Sequence, residues 1–535
     1  MGVQVWTREQ IAARILAGET LVVLGDKLIR IPDSWLKSHP GGSLAILHFV
    51  GRDASNEVEA FHSEETQRRM RGYQIGTVQT GKDGWEAFVP PVMSGWVRRV
   101  GDDGKGYWHS EAVAARSKVD TPASPASQIL LVGADDASSQ KVPTIDTLRT
   151  GPSNLTPQLF SRHSAAYEEL HRRVKEAGLY RTRYITGYGP EVLRYTLFAV
   201  VSAIAYSKSW FITSAISLGL LWHQLVFTAH DLGHLGVTHN WTIDRLIAIF
   251  IADFIGGLSI GWWVDNHNTH HLVTNHPTQY IGVIFKYTRS DPDIQHLPFF
   301  AISPVFFNSL WSSYYKRIMT FDIFGKIFVS IQHKLFYVVM SLARFNLYVQ
   351  SYGYLAKTAF QAPRAQGGRW WWWSEILCLG LFYCWYGAVL MGTGSWKNAL
   401  IYLLITNVVP SPLHVQIVLS HFSRSTADLG VGESFAARQL RTTVDVICPE
   451  SIEFIHGGLH LQVTHHMFPR LPRHNLRVAS ALVKEFAKEQ GLEYAEFGFM
   501  DGNQEVRGVL REVAKQVKIV GMVADSNIRE HMHDE

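Results

Sequence analysis

Cysteine is nearly missing from this chain. Its 535 residues hold three, Cys378, Cys384 and Cys448, with no CxxC and no CxxCH. That argues against a disulfide framework and a thiolate zinc site, and it places the soluble parts on a reducing side. One-signed charge is scarce too. The formal net charge is +4 and no basic run occurs, so neither nucleic acid nor a polyanionic partner is expected. No basic segment followed by an apolar stretch opens the chain, so no secretory signal is expected. Trp6 stands where a myristoylation signal needs Ser or Thr. Against these shortages stand 25 histidines and 17 tryptophans, and long hydrophobic runs that no soluble domain needs.

Residues 1–80 read as a compact soluble unit, with short apolar runs such as LVVLG and LIRIP between helical stretches. Residues 81–155 gather Gly, Asp, Ser and Pro, as in TPASPAS and GADDASSQKVP, and read as a linker with a short helix near 109–118. The charged helix YEELHRRVKEAGL then leads into a membrane part, 156–535. Runs at about 191–207, 210–229, 374–393 and 397–419 approach the ~20 residues that cross hydrocarbon, and they pair as two hairpins. The apolar run 241–263 carries Asp244, Arg245 and Asp253 and reads as interfacial, as do 299–311 and 320–350, which are interrupted by lysine and arginine. Four crossings put both termini on one side. Arg181, Arg183, Arg194 and Arg424 flank the spans and mark that side as cytosolic.

Three histidine clusters lie beside these runs: HDLGH at 230–234, HNTHH at 267–271 and QVTHH at 462–466. On a helix His230 and His234 share a face, and so do His267, His270 and His271. His465 and His466 add a third prong. HxxxH alone more often marks surface or capping histidines, but three clusters at the mouths of hydrophobic hairpins call for metal. Neutral imidazole suits iron, zinc and copper, and seven rings are too many for one tetrahedral ion and about right for two. If the run 241–263 crossed the bilayer, the first two clusters would lie on opposite faces and could share nothing. Trp262-Trp263 and Trp370–Trp373 read chiefly as interface anchors.

A separate signal sits at 39–42, HPGG, with His62 23 residues further on in EAFHSEE. Proline and two glycines let the chain turn tightly against a flat cofactor. Two histidines from opposite loops can fill both axial positions of one haem, leaving it to carry electrons only. With WTREQIAARI, IPDSWLKSHPGG, DASNEVEAFH and YQIGTV, residues 6–78 resemble the cytochrome b5 family. The resemblance implies a non-covalent haem b held by His39 and His62.

The order of this module followed by HxxxH, HxxHH and QxxHH resembles the front-end membrane desaturases. The distinguishing marks are the fused HPGG and Gln462 where other desaturases carry histidine. The resemblance implies a multi-domain fold: a small α+β haem domain, then an all-α integral membrane domain of four transmembrane helices under a cytosolic helical cap. It implies two irons ligated by His230, His234, His267, His270, His271, His465 and His466. Gln462 sits at the variant position, and His421 in LSHFS matches a further ligand of the wider class. His239 is a weaker candidate, and His460 confuses the assignment. Thr464 stands where an acidic residue is common, and Asp291 and Asp293 fit either ligand support or a plain turn.

Segment 332–355 and the tail KEFAKEQGLEYAEFGFMDGNQEV are similar to fungal sphingolipid Δ8-desaturases. That likeness implies an O2-dependent enzyme placing a trans-8 double bond in the sphingoid base of ceramide. Electrons would come from its own haem, refilled by NADH-cytochrome b5 reductase, in the endoplasmic reticulum membrane. The competing readings are a Δ6- or Δ5-type acyl-lipid desaturase, a b5-fused lipid hydroxylase, against which Gln462 argues, and a non-catalytic metal-binding membrane receptor.

Overall fold

A computed structural model describes residues 4–110, 142–151, 153–276, 291–294, 296–307, 310–312, 317–319, 321–361, 363 and 366–533. The helix expected near 109–118 lies, past Ser110, outside the described residues.

The N-terminal module begins with β1 (Val5–Trp6) and α1 (Arg8–Leu16). Thr7 and Gln10 close a capping box at the start of α1, satisfying two orphan donors reciprocally. β2 (Leu21–Leu24), β3 (Lys27–Arg30) and β4 (Gln74–Val78) complete a four-stranded sheet in the order β1-β4-β3-β2, with β1 parallel to β4 and the other pairs antiparallel. Four short helices fill the interval between β3 and β4: α2 (Asp33–Ser38), α3 (Ser43–Leu47), α4 (Ser55–Phe61) and α5 (Glu64–Met70). Ile11, Ile15, Leu21, Val23, Leu28 and Val50 form the core beneath them.

Packing around this module continues past residue 80. Trp85, Phe88, Trp96, Trp108 and Leu148 belong to that same core. β5 (Trp96–Val100) and β6 (Gly106–Ser110) form an antiparallel hairpin. The Trp108 indole donates to Ile15 O at 2.6 Å, and Arg98 pairs with Asp33. Buried tryptophan outweighs the Gly and Asp content that made the segment read as a linker.

In the membrane part, α6 (Pro157–Glu176) is capped by Thr156. α7 (Gly189–Ser207) and α8 (Phe211–Gly233) pack as a hairpin, pinned by Ser202 and Ser214. α9 (Trp241–Ile249) runs through a π-helical turn to Ile255, and α10 (Ile260–Leu272) leaves it at 113°. At the bend Gly257 has φ +71, and a Cβ there would lie 2.4 Å from Phe382, so only glycine fits. α11 (Ile323–Ser341), α12 (Ala343–Thr358), α13 (Trp370–Met391), α14 (Trp396–Val408) and α15 (Ser411–Phe422) follow. The cap comprises α16 (Phe435–Thr442), α17 (Glu453–His456), α18 (Gln462–Met467), α19 (Leu476–Gln490) and the long α20 (Phe499–His533). Two small strand pairs, Leu310–Ser312 with Arg317–Met319 and Asp445–Ile447 with Glu496–Gly498, interrupt an otherwise helical region.

Among the described residues four helices are long and apolar enough to cross a membrane: Phe211–Gly233, Ile323–Ser341, Trp370–Met391 and Trp396–Phe422, the multi-pass pattern of an integral membrane protein. The set differs from expectation twice: α11, in a run expected to be interfacial, is included, and α7, in the run 191–207 expected to cross, is not. Val329, Phe336 and Met340 of α11 pack on Val506, Leu510 and Val513 of α20. α7, by contrast, exposes Leu193, Leu197, Val200 and Ile204, an apolar face suited to lipid.

Candidate haem cleft and histidine metal centre

His39 closes α2 and His62 closes α4, facing each other across a cleft. Their ring centroids are 6.2 Å apart. Two metal–imidazole bonds of about 2 Å each plus two half-rings span about that distance. His39 Nδ1 donates to Gly42 O at 3.2 Å and His62 Nδ1 to Val58 O at 3.1 Å. Both bonds place the Nδ1 proton on the backbone and turn Nε2 toward the cleft. Burial first, then the charge of His39, pushes His62 down to about 4, so it is neutral and ready to ligate.

The three clusters and His421 meet at the C-terminal turns of α8, α10, α15 and α18. One candidate group is His230, His234, His267 and His465; a second is His270, His421 and His466. All seven are buried. His271 joins neither group but stands between them: its Nε2 is 3.1 Å from those of His267 and His465, and its ring stacks on His466 at 4.0 Å. His267 Nε2 lies in turn 3.2 Å from His230 Nε2.

Hydrogen bonds cannot satisfy that run. Three links among four nitrogens would need three protons, and one link would then face two N–H groups. A shared ion resolves it, since two nitrogens each about 2.1 Å from one metal sit about 3.0–3.4 Å apart. His234 Nε2 and His466 Nε2 are buried without any partner, again as ligands lacking their ion would be. Burial, then neighbouring imidazoles, holds His465 and His466 well below the ordinary histidine range, hence neutral as ligation requires. The arrangement is consistent with a non-haem di-iron centre.

The outer partners of the second group fix its tautomers. His270 Nδ1 donates to both oxygens of Asp291 at 2.9 Å. His466 Nδ1 donates to Gln439 Oε1 at 3.0 Å, and His421 Nδ1 to Thr442 O at 3.3 Å. Each bond commits the Nδ1 proton outward and turns Nε2 toward the other rings of the group. Asp291 thus orients His270 rather than closing a plain turn alone, and Asp293 adds a carboxylate 3.6 Å from His270. Gln439 and Thr442, both on α16, were not anticipated; nothing local in the sequence marks them.

Gln462 presents its amide 3.3 Å from His421 Nε2, at the rim of the second group. His239 is no ligand: its Nδ1 bonds Leu235 O and its Nε2 bonds Tyr180 O. His460 turns away to Glu453, 3.2 Å distant. Trp263 departs from the belt-anchor reading, for its ring lies 4.4 Å from that of His267 and 5.1 Å from that of His230. Gly233 makes room for it, since a Cβ there would come within 2.2 Å of the indole.

Comparison with known proteins agrees with this geometry. The Fatty acid desaturase family model matches residues 207–498, and the Cytochrome b5-like Heme/Steroid binding domain matches residues 7–79. A "Delta 8-(E)-sphingolipid desaturase" of Emericella nidulans is 42% identical over 539 residues, covering 96% of this chain and 95% of the relative. A protein of the same description from Komagataella phaffii is 40% identical, with 96% and 94% covered. A "Delta(8)-fatty-acid desaturase" of Helianthus annuus is 33% identical, with 72% and 80% covered. The chain belongs to the fatty acid desaturase family, as a member with a cytochrome b5-like module fused ahead of its membrane domain.

Proposed function

We propose that the protein introduces a trans-8 double bond into the sphingoid long-chain base of ceramide or a related sphingolipid. The observation that carries this reading is the end-to-end similarity to Delta 8-(E)-sphingolipid desaturases. The overall reaction removes two hydrogens from adjacent methylenes and, with two electrons and two protons, reduces O2 to two waters.

The ligand set is His230, His234, His267, His270, His271, His421, His465 and His466, with Gln462 beside them; His39 and His62 hold haem b. When bound, the irons supply an oxidant able to attack an unactivated methylene, and the haem supplies electrons singly. The chain's own residues do the rest. Asp291, Gln439 and the Thr442 carbonyl hold outward protons on three imidazoles. Trp263 walls the first group against water. The apolar spans offer the lipid tail a path, and a front-end enzyme measures position from the polar end. NADH-cytochrome b5 reductase refills the haem. The enzyme resides in the endoplasmic reticulum membrane, with termini and metal centre cytosolic, in keeping with the arginines flanking the spans.

An acyl-chain substrate is the second reading, favoured by the description of the Helianthus relative. Expression in yeast lacking both activities, with mass spectrometry of long-chain bases and fatty acids, separates them. Unsaturation at carbon 8 of the base is expected. New double bonds in acyl chains alone would replace the sphingoid assignment.

A further inference from the structure

We infer that Phe61 is the electron bridge from the haem module to the metal centre. The inference rests on the reading above and assigns a role to a residue outside either ligand set.

Phe61 is the last residue of α4, bonded directly to the haem-ligand candidate His62. Its side chain crosses the seam between module and membrane domain. There it meets the ring of His271 edge-on, with centroids 6.1 Å apart at 78°. His271 is the imidazole that touches both metal groups. The route from one centre to the other is therefore one peptide unit, one phenyl ring and one van der Waals gap. Because tunnelling decays steeply with every through-space gap, this route outcompetes a detour through solvent.

The seam is built to hold that contact. On the polar side Glu59 meets His171 Nδ1 at 3.1 Å and Lys175 at 3.0 Å, while Lys175 reaches Glu64 at 3.6 Å. These pairs bracket Phe61 and His62 along the chain. On the apolar side Ala60 is buried with Tyr167, Phe435 and Phe468, and Val58 and Leu272 pack against Val22 and Phe49. Phe61 itself lies at the margin of its cluster and only half-buried, so filling the core does not account for its aim at His271.

Each passage oxidises one ferrous haem to ferric and reduces the di-iron centre by one electron; no bond forms or breaks. Two passages serve one turnover, and a flavin-type reductase restores the haem after each.

The test uses full-length holoprotein with its haem reduced anaerobically, then mixed with O2 and ceramide, while haem re-oxidation is followed optically. His267→Ala supplies the background rate of direct oxidation by O2. Carbodiimide cross-linking of Glu59 to Lys175 reports independently whether the module is docked. Phe61→Ala is expected to slow re-oxidation by about an order of magnitude with an unchanged haem spectrum and cross-link, and Phe61→Tyr to restore the rate. A rate in Phe61→Ala close to wild type would overturn the bridge. So would a slow rate accompanied by loss of the cross-link, which would make the ring a docking element only. Wild type that re-oxidises its haem but forms no unsaturated lipid would count against the proposed function instead.

Discussion

At His270, His421 and His466 the Nδ1 proton is committed outward, to a carboxylate, a backbone carbonyl and an amide oxygen. These three bonds fix the orientation of three imidazoles, as ligation would require. Asp291→Asn keeps the shape of the partner and removes its charge, so iron affinity or activity is expected to fall about 10- to 100-fold. Iron analysis of the purified variant checks this. His267→Ala should abolish product while leaving the haem spectrum intact, and His39→Ala should erase that spectrum. Substantial product from His267→Ala would count against the ligand assignment. His62 also carries a pH signature. Its folded-state value is about 4, against about 6.5 for an unperturbed histidine. Between those values the unfolded module binds more protons, so stability from this group is present above the unfolded value and lost as pH falls through the folded one. Thermal melts of the haem-free protein should show a falling midpoint from pH 6.5 down to 4. A midpoint flat over that window would contradict a neutral, buried His62. At this scale the sequence was legible where residue type and spacing carry the chemistry, as in the three clusters, HPGG and His62. It was mute about Gln439 and Thr442, which come from a distant helix, and it could not show that both nitrogens of His239 are already engaged.

Among elements, composition misled where a few large side chains decide the packing. The hairpin of β5 and β6 lies in a Gly- and Asp-rich stretch, yet Trp96 and Trp108 are buried against the haem module. Trp108→Ala deletes a buried indole and its bond to Ile15, and should cost about 3–5 kcal/mol, read as a lower melting midpoint of the haem band. Little change would return this segment to a passive linker. Sidedness asked only that the run 241–263 not carry the first two clusters to opposite faces; the bend between α9 and α10, for which Gly257 supplies the physical means, is what the structure adds. Where α8 faces α10, Gly233→Ala should force Trp263 off His267, with an overpacking cost of about 1–3 kcal/mol and a loss of activity. An active Gly233→Ala with unchanged melting would show that the indole has room to move. The apolar runs of α8, α13 and α14 were readable because length and hydropathy suffice. α11 meets those measures too, although lysines in its sequence made the run read as interfacial.

For the molecule as a whole, two redox modules and a lipid-facing bundle are packed into one body, and what joins them is a polar and apolar seam around Phe61 and His62. No local pattern announces such a seam, because it pairs residues more than a hundred positions apart. The account depends on imidazoles from four helices gathering two irons beside a separate haem. The most direct measurement is total iron against haem in the purified full-length protein, with zinc assayed alongside. Two non-haem irons for each haem are expected, with the non-haem share lost in His267→Ala. Haem iron alone, or zinc in place of the non-haem iron, would contradict it.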